Sequence, residues 1–117
     1  MAELGIIEKF HASHGSDTHE HDFKVEVAIE GKVDSVTGYL EGIDHHQIMN
    51  DVKRIILEIE NKNLKEVLSA LGFKSSGNEA IAAFFLNKLK DKYLIKSIKV
   101  WETEQRYAKV YADESKQ

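Results

Sequence analysis

Histidines are the residues of this chain whose type and spacing suggest chemistry. Four of the six histidines lie in one short segment, FHASHGSDTHEHDFKVEV, and two of them, His19 and His21, are separated by a single residue. Imidazole nitrogens are common zinc ligands, so the segment raises the question of a metal site. The chain has no cysteine, which excludes a thiolate zinc site and a cysteine nucleophile.

The residues that follow these histidines alternate strictly between apolar and polar types. Phe23 and Val25 begin an apolar series on one face, and the segment Asp22 to Glu30 is therefore predicted to be a half-buried strand. Successive side chains of a strand point to opposite faces, so the same alternation can be extended backwards. That extension places His21 and His19 on the inward face.

An earlier strand is predicted from about Leu4 to Ser13. Phe10 and Ala12 share a face of this strand, and their alternation carries forward to His14, whereas His11 has the opposite parity. Three histidines from two adjacent strands would then converge on one point. Three protein ligands with a fourth position open is the arrangement of catalytic zinc. The competing interpretation is that several histidines in a loop are only surface residues.

The middle of the chain has helical spacing. Apolar residues recur at helical intervals over residues 44–60, and Asp44 is a plausible N-cap. Residues 63–73 are predicted to form a short helical turn or two that is closed by Gly72. A second long helix is predicted over residues 75–93, where Ser76 and Glu79 fit the S-x-x-E capping box.

Residues 95–112 are predicted to form a hairpin that turns near Glu104–Gln105. The element order is therefore strand, strand, helix, helix, strand, strand. This order predicts an α+β fold with an antiparallel sheet covered by helices on one face. No linker or repeat interrupts the sequence, so residues 1–117 are expected to form a single domain with a short charged tail.

Charge and hydropathy exclude several classes of function. The net charge of −4 argues against a general nucleic-acid binder, which needs a basic face. The longest apolar run, AIAAFFL, is far too short to span a bilayer, so no membrane association is expected. The N-terminus lacks a basic segment followed by a hydrophobic one, and a cytoplasmic location is the simplest expectation.

With these residues assembled, the chain resembles the 6-pyruvoyl-tetrahydropterin synthase and 6-carboxy-tetrahydropterin synthase family. FHASH (Phe10 to His14) is similar to the family's F-S-A-A-H, and HEHDF (His19 to Phe23) is similar to H-G-H-N-Y. The segment SGNEAIAAFFLNKL places Glu79 on the glutamate of P-T-x-E-N. VWET (Val100 to Thr103) matches the family's V-W-E-T. Together and in this order the motifs are a specific signal of the resemblance, although each motif alone is a weak signal.

The resemblance implies a site and an assembly. His14, His19 and His21 would be the zinc ligands, and Glu102 would anchor a pterin, with Glu79 and Thr103 as further substrate-binding residues. The implied architecture is the tunnelling fold, in which ββααββ subunits form homo-oligomers. By this resemblance we expect a trimer or a hexamer, with active sites between subunits.

Two departures from the family pattern fall on its acid–base groups. Gly15 stands where the family has a catalytic cysteine, and Glu60–Asn61 stands where it has an aspartate–histidine pair. An asparagine side chain cannot shuttle a proton, so other groups would have to do so. The candidates are Glu20, Glu60 and His45, with His11 and His46 as further possibilities.

The functional expectation is a zinc-dependent lyase of the 6-pyruvoyl-tetrahydropterin synthase type. It would act on the side chain of a dihydroneopterin triphosphate-type substrate. Two alternatives are a zinc- and pterin-binding homologue with little catalysis and an aldolase-like dihydroneopterin lyase. A His-rich metal-binding domain without a pterin fits less well, because Glu102 in VWET accompanies the histidines.

Overall fold

The computed structural model, which describes residues 1–15 and 18–112, contains a four-stranded antiparallel sheet. Its strands are β1 (Ala2–His14), β2 (His19–Gly31), β3 (Ile95–Thr103) and β4 (Arg106–Tyr111). They lie side by side in chain order, so that β1 and β4 form the two edges. The predicted antiparallel sheet and the hairpin turn at Glu104–Gln105 are confirmed.

Three helices lie between β2 and β3 in the chain. They are α1 (His45–Leu57), α2 (Leu64–Ala70) and α3 (Asn78–Leu89). The side chain of Asp44 accepts hydrogen bonds from the first-turn amides of α1, as its predicted role as N-cap requires. The predicted α+β fold is confirmed, and α2 is the short helical segment predicted over residues 63–73. No described helix is long and apolar enough to cross a membrane.

The start of α3 differs from the sequence-based prediction. Its N-cap is Gly77, which has no side-chain capping hydrogen bond, so the capping box of Ser76 and Glu79 is wrong. The hydroxyl of Ser76 instead accepts a hydrogen bond from the Gly15 N–H at 3.0 Å. Gly15 follows the last residue of β1, and a partly buried backbone amide at such a point needs a partner from elsewhere. The Ser76 hydroxyl is therefore used in a tertiary contact with Gly15 and not in a cap of α3.

The core lies between the inward face of the sheet and the helices. The rings of Phe10 and Phe23 stack with centroids 5.2 Å apart, and Phe85 of α3 packs on Phe10 at 5.9 Å. Phe10 is paired directly with Phe23 in the β1–β2 register. Because directly opposed residues of antiparallel strands share a face, the register also defines which residues beyond the core point inward.

Candidate metal centre

Three histidines extend the core face at the end of the β1–β2 pair where β1 ends and β2 begins. In the register His14 is opposite His19, and Ala12 is opposite His21, so all three histidines point to the side of Phe10. Their ring centroids lie 4.6–5.1 Å apart. His14 is buried, His21 is half-buried and His19 is exposed. The structure thus brings together the three histidines that strand parity selected.

Glu102 joins the histidine cluster from β3. Its Oε2 atom lies 3.1 Å from Nε2 of His14 and 3.7 Å from Nε2 of His21, and only 5% of its side chain is exposed. Its other oxygen contacts the guanidinium of Arg106. One donor atom from Glu102 and one from each of the three histidines lie within 4.8 Å of one another. The group therefore comprises four potential ligands.

The closeness of Glu102 to the histidines was not predicted. The signal was present in the sequence, because Val100 is a buried apolar residue of β3 and Glu102 is two positions further along the same face. What parity could not supply was the register of β3 against β2. The structure pairs Val100 with Val25, which brings Glu102 level with the start of the apolar series on β2.

The hydrogen bond of His14 identifies its tautomer. Nδ1 of His14 lies 2.8 Å from the carbonyl oxygen of Ser76. A carbonyl oxygen can only accept, so Nδ1 carries the proton. In the neutral ring the lone pair is then on Nε2, the atom that faces Glu102. A fixed second nitrogen of this kind orients histidine ligands in metal sites.

His21 is held in the form that binds metals. Its partial burial lowers the pKa of the imidazole, and the neighbouring His14, His19 and Arg106 lower it further. Its Nε2 atom is buried and makes no hydrogen bond within the described part of the chain. Metal ligation requires neutral imidazole. Three imidazole nitrogens and a carboxylate oxygen are a donor set that suits zinc, and this cluster fits such an ion.

The other predicted substrate-binding residues lie outside the cluster. Glu79 is an exposed residue in the first turn of α3, three positions after Ser76. Thr103 is exposed at the end of β3, where its hydroxyl accepts a hydrogen bond from the Gln105 N–H. Both are close in sequence to residues that touch the cluster, but neither belongs to the group of four donors.

Glu20 lies on the outward face of the sheet, opposite to the cluster. It accepts from Nε2 of His11 at 3.0 Å, while Nδ1 of His11 donates to Asp22 at 2.8 Å. These two hydrogen bonds raise the pKa of His11, with the bond to Asp22 as the larger cause. His11 is therefore separate from His14, as its strand parity predicted.

Glu60 and His45 occupy two different positions relative to β1. Glu60 is in the segment after α1 that runs beside β1, where the N–H of the adjacent Asn61 donates to the carbonyl of His11 at 2.6 Å. His45 begins α1, and its ring packs near Tyr39 with centroids 5.3 Å apart, in a groove lined by the N-terminal half of β1. Within one chain, His45 is at the opposite end of β1 from His14.

The two positions that depart from the family pattern have unusual backbone angles. Gly15 has φ of +88° and Asn61 has φ of +61°. Glycine adopts positive φ readily, and asparagine is enriched there relative to other residues. Their residue types therefore match their local backbone.

Comparisons with known proteins agree with the fold. A family model described as 6-pyruvoyl tetrahydropterin synthase matches residues 6–113. The Caenorhabditis elegans 6-pyruvoyl tetrahydropterin synthase structure has a TM-score of 0.83, with 16% identity over 95% of each chain. The Plasmodium falciparum 6-pyruvoyl tetrahydropterin synthase structure has a TM-score of 0.67 and 18% identity, covering 93% of this chain and 96% of the other.

A third similar structure is that of a catalytic-residue variant. It is a Plasmodium vivax 6-pyruvoyltetrahydropterin synthase in which a catalytic glutamate is replaced by alanine. Its TM-score is 0.67 at 16% identity, covering 93% of this chain and 96% of that chain. No curated protein sequence matches this chain.

Proposed function

The chain belongs to the 6-pyruvoyl tetrahydropterin synthase family, and from this premise we propose that it is a zinc-dependent lyase. Its substrate would be a dihydroneopterin-type pterin, such as dihydroneopterin triphosphate, whose side chain it rearranges or cleaves. The observation that carries the proposal is the convergence of His14, His19 and His21 at one end of the sheet.

The three histidines would hold the zinc ion. When bound, zinc supplies Lewis-acid chemistry, which polarises oxygens on the pterin side chain and acidifies the adjacent C–H bonds. The hydrogen bond to Ser76 keeps the His14 ring in one tautomer, and the lowered pKa of His21 keeps that ring neutral. These features support the assignment of the histidines as ligands.

Glu102 would recognise the pterin ring. A pterin presents an amino group and a ring N–H on one edge, and a carboxylate accepts both in a bidentate pair. Glu102 is buried beside the histidines, so a pterin bound to it would lie next to the proposed metal. Glu79 and Thr103, which are exposed at the starts of α3 and of the hairpin turn, are proposed to contact the same ligand.

Proton transfer would fall to groups other than the usual cysteine and histidine. The P. vivax protein shows a catalytic glutamate in this family, and Glu20 and Glu60 are the carboxylates proposed here. Glu60 lies beside the β1 edge near His11, whereas Glu20 faces the other side of the sheet. His45 is at the far end of β1, so it could take part only across a contact between subunits.

The proposed enzyme is a homo-oligomer, a trimer or a hexamer, with sites between subunits. The sheet ends in two edge strands, β1 and β4. Residues 61–63 already pair with β1 at His11 and Ser13, so the backbone groups that can pair with another chain lie elsewhere along the two edges. Sedimentation of the purified protein would measure the subunit number. A monomer at all concentrations would contradict this part of the proposal.

The direct test is turnover of dihydroneopterin triphosphate in the presence of zinc and magnesium, followed by fluorescence and mass. We expect zinc-dependent product formation, which His21→Ala abolishes and Gln47→Ala, at the exposed start of α1, leaves unchanged. The product mass separates a rearranged side chain from an aldolase-like cleavage. Glu60→Gln and Glu20→Gln then identify the proton-transfer group by the larger loss of rate.

A second candidate function is zinc and pterin binding with little catalysis. The replacement of the family's acid–base residues by Gly15 and Asn61 favours it. Tight binding of the pterin without turnover would establish this alternative, and the lyase proposal would then be wrong.

A further inference from the structure

We propose that Glu102 is itself a ligand of the metal in the substrate-free protein. The site would then be closed by four protein groups until a pterin draws the carboxylate away. This inference rests on the proposed zinc site and goes beyond the pterin-anchoring role of Glu102. The metal and the pterin would then compete for the carboxylate of Glu102.

The distances around Glu102 suit a shared ion. In a tetrahedral zinc site with bonds of about 2.0–2.1 Å, neighbouring ligand atoms lie roughly 3.3–3.4 Å apart. Oε2 of Glu102 lies 3.1 Å from Nε2 of His14 and 3.7 Å from Nε2 of His21, on either side of that value. The three side chains therefore have the spacing of neighbouring ligands of one ion.

The hydrogen-bonding pattern points the same way. His14 uses its Nδ1 proton on the Ser76 carbonyl, so in the neutral ring its Nε2 atom is an acceptor. The carboxylate oxygen of Glu102 is an acceptor too, and the two side chains are only 6% and 5% exposed. Two buried acceptors 3.1 Å apart repel each other unless a cation lies between them, and the guanidinium of Arg106 contacts the other oxygen of Glu102, Oε1. The cation between them is either a metal ion or an extra proton on His14.

Arg106 fixes which carboxylate oxygen faces the cluster. Its guanidinium contacts Oε1 of Glu102, and its own side chain is 71% exposed. Oε1 is thereby committed to Arg106, and Oε2 is the oxygen that remains for the histidine side. Glu102 would therefore act as a monodentate ligand.

A four-ligand resting site has a consequence for substrate binding. Catalytic zinc sites keep one coordination position for substrate or solvent, whereas sites with four protein ligands are closed. The pterin edge offers two hydrogen-bond donors to the Glu102 carboxylate. Those two bonds would compensate for the lost metal contact, so only a ligand with such an edge would open the site.

The test measures zinc affinity by competition with a chelator. For Glu102→Ala and Glu102→Gln we expect zinc to bind at least tenfold more weakly than to the wild type, since even the loss of an indirect partner of a ligand typically costs about 10–100-fold. The matched control is Glu20→Gln, which removes a carboxylate from the same end of the sheet but from its outward face. The control should bind zinc as the wild type does.

A second measurement uses the unaltered protein, in case the variants fail to fold. In a crystal structure of the zinc-loaded, pterin-free protein we expect Oε2 of Glu102 at about 2.0–2.2 Å from the ion. After soaking with dihydroneopterin, the carboxylate should contact the pterin edge instead. A zinc–Oε2 distance above roughly 3 Å in the pterin-free crystal would overturn the inference.

The outcomes separate the inference from the proposed function. If both Glu102 variants bind zinc within threefold of the wild type but lose pterin binding, Glu102 is a pterin anchor alone, and the proposed function stands. If Glu20→Gln weakens zinc binding as much, the effect is one of general charge and the ligand assignment is wrong. If the wild type binds no zinc, a proton on His14 accounts for the short contact, and both proposals fail.

Discussion

Backbone conformation determines which side chains the positions of Gly15 and Asn61 can carry. Gly15 adopts φ of +88°, where any L-residue with a Cβ atom is strained. A cysteine at this position would have to change the backbone that leads out of β1. Asparagine tolerates the φ of +61° that Asn61 adopts, and the Asn61 N–H donates a hydrogen bond to the carbonyl of His11. The two departures from the family pattern therefore have a local steric explanation.

Replacing Gly15 by alanine should destabilise the fold. We expect Gly15→Ala to lower the free energy of unfolding by about 1–2 kcal/mol, because the new Cβ atom forces a strained backbone. The matched control is Gly5→Ala within β1, where the added Cβ meets only the end of the Glu26 side chain at 3.8 Å. Urea denaturation would measure both. Equal effects at the two positions would contradict the argument.

The ion-paired His11 should make stability depend on pH. Its hydrogen bonds to Asp22 and Glu20 raise its pKa in the folded state. A raised folded pKa stabilises the protein below the unfolded value of about 6.5, and this contribution is lost as pH rises through the folded pKa. The wild type should therefore exceed His11→Gln in unfolding free energy by more at about pH 5.5 than at about pH 8.5. A difference that grows towards alkaline pH would refute this.

At the scale of elements, a buried carboxylate joins α1 to the segment after α3. Asp51 of α1 is 8% exposed, and it accepts from the Tyr93 hydroxyl at 2.5 Å and pairs with Lys92 at 2.8 Å. These partners lower the pKa of Asp51, and burial raises the pKa of Tyr93. A buried charge is tolerated only when it is paired in this way. The contact therefore fixes the two long helices relative to each other.

Removing the Tyr93 hydroxyl should weaken this contact between the helices. We expect Tyr93→Phe to lower the free energy of unfolding by about 1.5–3 kcal/mol, the range for a hydrogen bond to a charged group. Tyr107→Phe, at a 48% exposed position of β4, is the control and should have little effect. Chemical denaturation monitored by circular dichroism gives both values. Similar losses of unfolding free energy in the two variants would show that the hydrogen bond from Tyr93 to Asp51 does not stabilise the fold.

Strand alternation predicted more of the candidate site than helix signals did. It selected His14, His19 and His21 and excluded His11, because parity is a local property of each strand. The prediction that Ser76 caps α3 was wrong because the Ser76 hydroxyl bonds to the Gly15 N–H instead. Gly15 is distant in sequence, and only the tertiary fold brings the two residues together. The approach of Glu102 likewise depends on how β3 aligns with β2, which no local pattern specifies.

At the scale of the whole molecule, the four donor residues come from three different strands. His14 ends β1, His19 and His21 begin β2, and Glu102 lies near the end of β3. An ion bound by all of them would join three neighbouring strands at one end of the sheet. Because the unfolded chain does not present this arrangement, binding would favour the folded state by mass action.

Zinc should therefore raise the melting temperature. At free zinc about 100-fold above its Kd the gain is about 2.7 kcal/mol, or about 10 °C for a domain of this size. The shift should disappear after chelation and in His21→Ala, while His46→Ala should retain it. Differential scanning calorimetry would measure it. An equal shift in His21→Ala would mean that zinc binds elsewhere.

The hydrogen bond between the Gly15 N–H and the Ser76 hydroxyl provides a built-in probe of this end of the sheet. The carbonyl of the same serine accepts a hydrogen bond from His14, so one residue contacts both His14 and the amide that follows it. Opening of this contact would expose the Gly15 amide to hydrogen exchange with solvent. If zinc binds as proposed, we expect that exchange to slow, and a single amide resonance would then measure how rigidly the fold presents the proposed metal ligands.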